Sequence, residues 1–313
     1  MNAFLLRRLA ISVPTLLIVT VIVFGLQHLL PGDPALAMSG EIRDPAVLAA
    51  IRAKHHFDLP IPVQYAYWLG GALQGDLGIS LKSNQPVTEL VMTKLPVTVE
   101  LAGLAMLVAL AIGIPAGVIS ALKRDSLWDH VANAIGLSGL SIPHFWLGIM
   151  LILLVSVDWG LLPPGGFVSP ADSLVDNLTS MIMPALVLGS GIAAVMMRHT
   201  RSAMLGTLGT DYVRTARAKG LFERTVVIKH ALRNALIPIV TLGALALGEL
   251  LSGAVLTESV FNIPGFGKLI VDAVFNRDYA VVQGVVLVTA SAYILLNLGA
   301  DMAYFLINPR LRG

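Results

Sequence analysis

The sequence predicts an all-α protein that crosses a membrane several times, and three observations carry that class. Hydrophobic residues make up 56% of its 313 positions and charged residues only 13%, whereas about a quarter of a soluble domain is charged. Long stretches without Asp, Glu, Lys or Arg recur along the chain, and mean hydropathy is +0.80. The basic residues gather in alternate connections between those stretches. With 17 Pro and 29 Gly, the chain stays below the share that marks collagen-like, linker or low-complexity sequences. The absence of cysteine closes off disulfides, thiolate metal sites, iron–sulfur clusters and cysteine nucleophiles. A balance of 21 basic and 19 acidic residues argues against a nucleic-acid partner.

A hydrocarbon layer of about 30 Å needs roughly 20 apolar residues in a helix, because lipid offers the backbone no hydrogen bonds. Taken in order, Leu9 to Leu30, Leu101 to Leu122, Val131 to Val157, Asn177 to Met197 and Tyr279 to Ala300 are free of formal charge. Ala235 to Thr257 carries a single acid, Glu249, among small and apolar residues. Six transmembrane helices are expected. The first resembles a secretory signal in having Arg7 and Arg8 before its apolar run and Ala35-Leu36-Ala37 after it. Its run is longer than the roughly 7 to 15 residues of a signal core, so an uncleaved anchor over 1–30 is expected.

Basic residues are retained on the cytoplasmic side. Arg7, Arg8, Lys123, Arg124, Arg310 and Arg312 fall on one side together with Arg198, Arg201, Arg214, Arg217, Lys219, Arg224, Lys229 and Arg233. The opposite side has none between Asp158 and Ser180, Lys268 and Arg277 between the last two spans, and five in the stretch 31–96, which is near the length at which the rule weakens. Both termini are therefore expected in the cytoplasm.

Two connections are too long to be turns. The stretch 31–96 is punctuated by Asp58-Leu59-Pro60-Ile61-Pro62 and Gly75-Asp76-Leu77-Gly78, as a folded external subdomain would be. A short amphipathic helix is expected between Pro45 and Phe57, and Tyr65, Tyr67 and Trp68 suit either packing at the membrane interface or contact with substrate. The second, 198–234, contains Asp211-Tyr212-Val213-Arg214-Thr215-Ala216-Arg217-Ala218-Lys219-Gly220-Leu221. Good helix formers end there at a glycine suited to a helix stop. A second helix is expected from Thr225 to Asn234, which makes a helix, glycine turn and helix on the cytoplasmic face.

At this point the sequence resembles the inner-membrane permease subunit of binding-protein-dependent ABC importers, in the dipeptide, oligopeptide and nickel branch. The resemblance covers essentially the whole chain. It rests on Leu30-Pro31-Gly32-Asp33-Pro34, Thr215-Ala216-Arg217-Ala218-Lys219-Gly220, His230-Ala231-Leu232-Arg233-Asn234-Ala235-Leu236-Ile237-Pro238 and Glu258-Ser259-Val260-Phe261-Asn262-Ile263-Pro264-Gly265-Phe266-Gly267. Asn276-Arg277-Asp278-Tyr279 with Gln283-Gly284 completes it. The resemblance implies the type I ABC importer permease fold in a bacterial inner membrane. Its expected layout is an anchor at 1–30, a periplasmic loop subdomain at 31–96, a five-helix core at 97–306 with a coupling loop at 198–234, and a tail at 307–313. It further implies a second homologous permease, two ATP-binding subunits, an external solute-binding protein and a lipid surround. Arg214, Ala216, Arg217, Gly220 and Leu221 become candidates for coupling to the ATPases. The wider superfamily has Glu-Ala-Ala where Arg214-Thr215-Ala216 stands here, a departure that the peptide branch shares.

No catalytic chemistry is legible. Gly265-Phe266-Gly267-Lys268 is the nearest phosphate-loop candidate, but Asn262 and Leu269 stand where the loop needs Gly and Ser or Thr. ATP and magnesium would accordingly be bound by partner subunits, with no cofactor in this chain. The His55-His56 pair is adjacent rather than spaced to share a helical face, and no metal motif is present. Polar residues within spans default to functional candidates: Glu249 and His144 either line the translocation path or hydrogen-bond between helices. Gly113-Ile114-Pro115-Ala116-Gly117 has the spacing that allows close helix approach. A proton-coupled secondary transporter using Glu249 would show paired inverted repeats, and an intramembrane enzyme would show a nucleophile and base sharing one cavity; neither pattern is evident. Dipeptides, longer peptides, glutathione-like peptides and nickel chelates all remain compatible as cargo.

Overall fold

A computed structural model describes residues 2–29, 34–39, 44–54 and 56–307. The Leu30 to Asp33 stretch, His55 and the tail with Arg310 and Arg312 lie outside the described residues. Among the described residues the elements are helices: α1 (Asn2–Leu29), α2 (Pro34–Ser39), α3 (Pro45–Lys54), α4 (Ile61–Leu73), α5 (Val87–Leu122), α6 (Leu127–Ser141), α7 (His144–Leu151), α8 (Leu174–Leu208), α9 (Asp211–Ala218), α10 (Glu223–Thr225), α11 (Arg233–Val260), α12 (Phe266–Phe275) and α13 (Tyr279–Ile307). Two π-helical stretches, Ile152–Asp158 and Val226–Leu232, extend α7 and lead into α11.

Among the described residues four helical segments are long and apolar enough to cross a membrane: Val87–Leu122, Leu174–Leu208, Glu223–Leu250 and Tyr279–Gly299. In α1 the apolar stretch runs Ala10–Gly25, with Ile11, Leu17, Ile18, Val21 and Ile22 facing outward. Such an outward apolar surface suits lipid and would be costly in water. The expected third span, Val131 to Val157, departs from a single helix. It is two helices, Leu127–Ser141 and His144–Asp158, that meet at 100°. Pro143 has no N–H to continue the ladder, and it holds Ile142 in extended backbone, φ −78° and ψ 124°. The second helix expected in the 198–234 connection also differs from expectation. Instead of standing alone from Thr225 to Asn234, it begins at Glu223 and passes through the π-helical turns into α11.

The contacts group the chain into two units, 1–96 with 265–294 and 97–264 with 295–313. In the first, Phe24 of α1 meets Tyr65 of α4 edge-on at 5.5 Å and Trp68 at 5.8 Å. The hydroxyls of Thr20 and Tyr65 are hydrogen-bonded at 2.8 Å. Tyr65 and Trp68 therefore pack α4 against α1. The core of this unit is Leu77, Val87, Val91, Phe266, Ala273, Val281 and Val285. Asp278, 3% exposed, ties its ends together. Its carboxylate accepts from the Ser80 hydroxyl at 2.5 Å and from the backbone N–H groups of Lys82 and Val281 at 3.4 Å.

In the second unit α8 is the central helix, buried along one side from Asn177 to Met204. The core around it joins Leu101, Ala105, Met181, Val187, Met196, Ile239, Leu250, Phe261 and Ile263. Helix α5 lies directly on the backbone of α8. A Cβ on Gly113 would sit 2.7 Å from the Ala193 carbonyl oxygen, and one on Gly117 would sit 2.6 Å from that of Met197. This close approach is the packing that the Gly113 to Gly117 spacing predicts. At the far end, the Thr98 hydroxyl donates to the buried carboxylate of Glu258 at 2.5 Å.

Candidate functional site: the hairpin after α8

The segment from Gly209 to Asn234 is a hairpin built on the end of α8. Its first helix, α9, follows α8 after Gly209 and Thr210 only. Val213 and Ala216 point inward and, with Val226, form a buried cluster against Leu208. Helical spacing of three puts Val213 and Ala216 on one face, so the same turn leaves Arg214, Thr215 and Ala218 exposed.

The turn is a Schellman motif. The N–H of Leu221 reaches the Ala216 carbonyl at 3.4 Å, and the N–H of Gly220 reaches that of Arg217 at 2.9 Å. Gly220 takes φ +74°, the left-handed conformation that costs other residues about 1–2 kcal/mol. Nothing lies within 4 Å of a Cβ placed there, so backbone conformation rather than space selects glycine. Across the turn Arg217 makes a two-pronged ion pair with Glu223, Nε to Oε2 at 3.1 Å and Nη2 to Oε1 at 2.6 Å. The base is closed by Tyr212, whose hydroxyl donates to the His230 carbonyl at 3.3 Å and accepts from Asn234 Nδ2 at 2.8 Å.

A locked hairpin results, with an exposed tip. Leu221 is exposed, and Phe222 beside it is 85% exposed. Of the sequence-selected residues, Arg214 and Leu221 are on the surface, Arg217 is engaged by Glu223, Gly220 forms the turn, and Ala216 is in the hairpin's own core. Sequence reasoning missed Phe222, although an aromatic residue directly after a helix-stopping glycine in a basic loop was a usable signal.

Glu249 and His144 lie outside the hairpin. Glu249 is exposed on α11. His144 opens α7 and lies against α8, where a Cβ on Gly191 would sit 2.7 Å from the imidazole Cε1. Its buried Nδ1 has no hydrogen-bond partner among the described residues. No group of three or more His, Cys, Asp or Glu that could hold a metal occurs among the described residues.

Comparison with known proteins identifies the family. Residues 113–313 match the binding-protein-dependent transport system inner membrane component, and residues 1–102 match the N-terminal part of such membrane components. The chain belongs to this family and is a multi-pass inner-membrane protein. It is 45% identical over 336 aligned residues to the dipeptide transport system permease protein DppB of Escherichia coli (strain K12), covering 100% of this chain and 99% of that protein. It is 44% identical over 309 residues to the glutathione transport system permease protein GsiC of Pectobacterium atrosepticum, covering 99% and 98%. In fold it is similar to a solved structure of the MetNI methionine ABC transporter in an inward-facing conformation, with TM-score 0.58 at 19% identity, covering 70% of this chain and 96% of that one.

Proposed function

We propose that this chain is one of two permease subunits of an ATP-driven importer of short peptides. Partner ATPases bind and hydrolyse ATP, and an external binding protein delivers the peptide. The observation that carries this reading is the hairpin: a unit with its own buried core, an apolar tip at Leu221 and Phe222, and a two-residue link to α8. Such a body can fill a cleft in another protein and pass a push into the bundle without deforming. Peptide cargo is supported by the dipeptide and glutathione permeases, to which the chain is similar over its whole length.

In this mechanism the chain performs no covalent chemistry. ATPase closure displaces the hairpin, α8 and α11 move with it, and the route between the two permeases opens to alternate sides of the membrane. The test is uptake into vesicles containing this chain, the second permease, the ATPases and the binding protein, with single components omitted and a dipeptide compared with a nickel chelate. Dipeptide uptake that disappears on any omission is the expected result. Uptake by this chain alone, driven by a proton gradient, would overturn the reading and make Glu249 the first residue to mutate.

A further inference from the structure

Away from the hairpin tip, the second unit contains a polar cluster that the proposed ATPase contact does not use. Asp129, in the first turn of α6, is 2% exposed. Arg201 of α8 grips it with both prongs, Nε to Oδ1 at 2.8 Å and Nη2 to Oδ2 at 2.7 Å. The same carboxylate accepts from the Ser120 hydroxyl at the end of α5 at 2.5 Å and from the Asp125 backbone N–H in the α5–α6 turn at 3.0 Å. Asn133 Nδ2 adds a further bond to Oδ1 at 2.7 Å. One buried anion thus gathers the end of α5, the turn and α6, and fastens all three to α8.

The cluster sits beside closely packed helices. Where α6 faces α8 it presents glycine: a Cβ on Gly136 would meet the Met197 Cε at 2.6 Å, and Gly139 lies against Ala194 and Ser190. Where α5 faces α8 it presents Gly113 and Gly117, against Met196 and Thr200. Glycine faces let helices approach closely, and the Asp129 cluster adds a directional polar tie to that apolar packing. A bidentate guanidinium–carboxylate pair fixes direction as well as distance, and the buried Asp129 carboxylate resists losing it because a buried charge left without partners is disfavoured. Arg201 lies about 10 Å along α8 from Leu208, at 1.5 Å per residue, and Leu208 is where the hairpin core docks.

We propose that Asp129 and Arg201 are positioning residues for transport, a register pin that makes the α5–α6 turn move with α8 when the hairpin is pushed. This inference rests on the peptide-importer reading above. Breaking the pin lets α8 slide past α5 and α6, so ATP is spent without opening the route.

The test uses the full complex in proteoliposomes with its binding protein. It measures the amount of assembled complex, ATP hydrolysis stimulated by the binding protein, and uptake of a labelled dipeptide per ATP. Asp129→Asn and Arg201→Gln are each expected to retain hydrolysis while uptake per ATP falls by about tenfold or more, the factor that corresponds to a loss of about 1.4 kcal/mol of coupling. Linking Asp129→Cys and Arg201→Cys with a bifunctional thiol reagent, in a chain that has no other cysteine, should restore the ratio. An unchanged ratio in assembled complexes would reduce the cluster to packing and overturn the proposal. If the charge variants fail to assemble, Ser120→Ala and Asn133→Ala keep the ion pair and each remove one bond to the carboxylate, Asn133→Ala also losing a bond to the Asp129 carbonyl. A graded loss of uptake per ATP then supports the pin, and a wild-type ratio in both overturns it. A wild-type complex that hydrolyses ATP with no dipeptide uptake would instead refute the importer reading, so the two failures are distinct.

Discussion

Replacing Gly220 tests the hairpin most directly, because the structure separates backbone conformation from steric bulk at that position. The residue sits at φ +74° with open space around a would-be Cβ. Asn tolerates the left-handed region and should cost a few tenths of a kcal/mol, whereas Ala should cost about 1–2 kcal/mol. Pro fixes φ near −65° and removes the N–H that bonds the Arg217 carbonyl, a combined loss of about 3 kcal/mol or more. At about 1.4 kcal/mol per tenfold, the open form rises roughly fivefold or more for Ala and by more than a hundredfold for Pro. The hairpin carries its own reporter, since Arg214, Arg217, Lys219 and Arg224 are exposed sites for trypsin. When opening and closing are fast relative to cleavage, the cleavage rate follows the open population. Limited proteolysis of the assembled complex, read beside uptake per ATP, should rank the variants Gly, Asn, Ala, Pro from most protected and coupled to least. A ranking by side-chain size, with Asn worse than Ala, would refute the backbone argument. A Pro variant as resistant as wild type would refute the hairpin itself.

Three further outcomes are expected. Phe222→Cys, at an exposed tip in an otherwise cysteine-free chain, should react with a membrane-impermeant thiol reagent in inside-out vesicles and not in right-side-out ones, and the reverse labelling would overturn the cytoplasmic assignment. Gly117→Leu should abolish stable assembly because even its Cβ would stand 2.6 Å from the Met197 carbonyl oxygen, while Gly103→Ala, with nothing within 4 Å, should be neutral or slightly stabilising by helix propensity; thermal unfolding in detergent compares the two. By the same assay Asp278→Ala should lose about 1–3 kcal/mol through stranding the Ser80 hydroxyl and two backbone donors, with Asn recovering part of the loss and a wild-type transition for Ala contradicting the assignment.

The quoted motifs acquire physical meaning in the structure, and several mark helix ends. Asn262, with φ 51°, closes α11 through a bond from Ile263 N–H to the Glu258 carbonyl at 2.8 Å. Arg277, with φ 55°, closes α12 through a bond from Asp278 N–H to the Ala273 carbonyl at 2.8 Å. Both repeat the Gly220 geometry with non-glycine residues in the left-handed region. The acids in the same motifs, Glu258 and Asp278, are buried and bonded within the chain rather than offered to a substrate.

The sequence by itself determined the solvent and the local periodicity. Charge-free runs near 20 residues can be satisfied in lipid only as helices, basic residues accumulate on one side, and Gly220 after a run of helix formers stops a helix whatever lies around it. Each of these depends on residues close together in the chain. Tertiary structure decided the rest, because the partners are far apart in sequence and no local pattern names them. Asp129 meets Arg201 across 72 positions, Thr98 meets Glu258 across 160, and Ser80 meets Asp278 across 198. The run from Val131 to Val157 reads as one span in the sequence, and the structure breaks it by 100° at Pro143. Ala216 looked like a surface contact until α10 and its π-helical extension folded back and placed Val226 over it. An apolar stripe declares that a face will be buried; what buries it is fixed by the complementary face that the rest of the chain brings into reach.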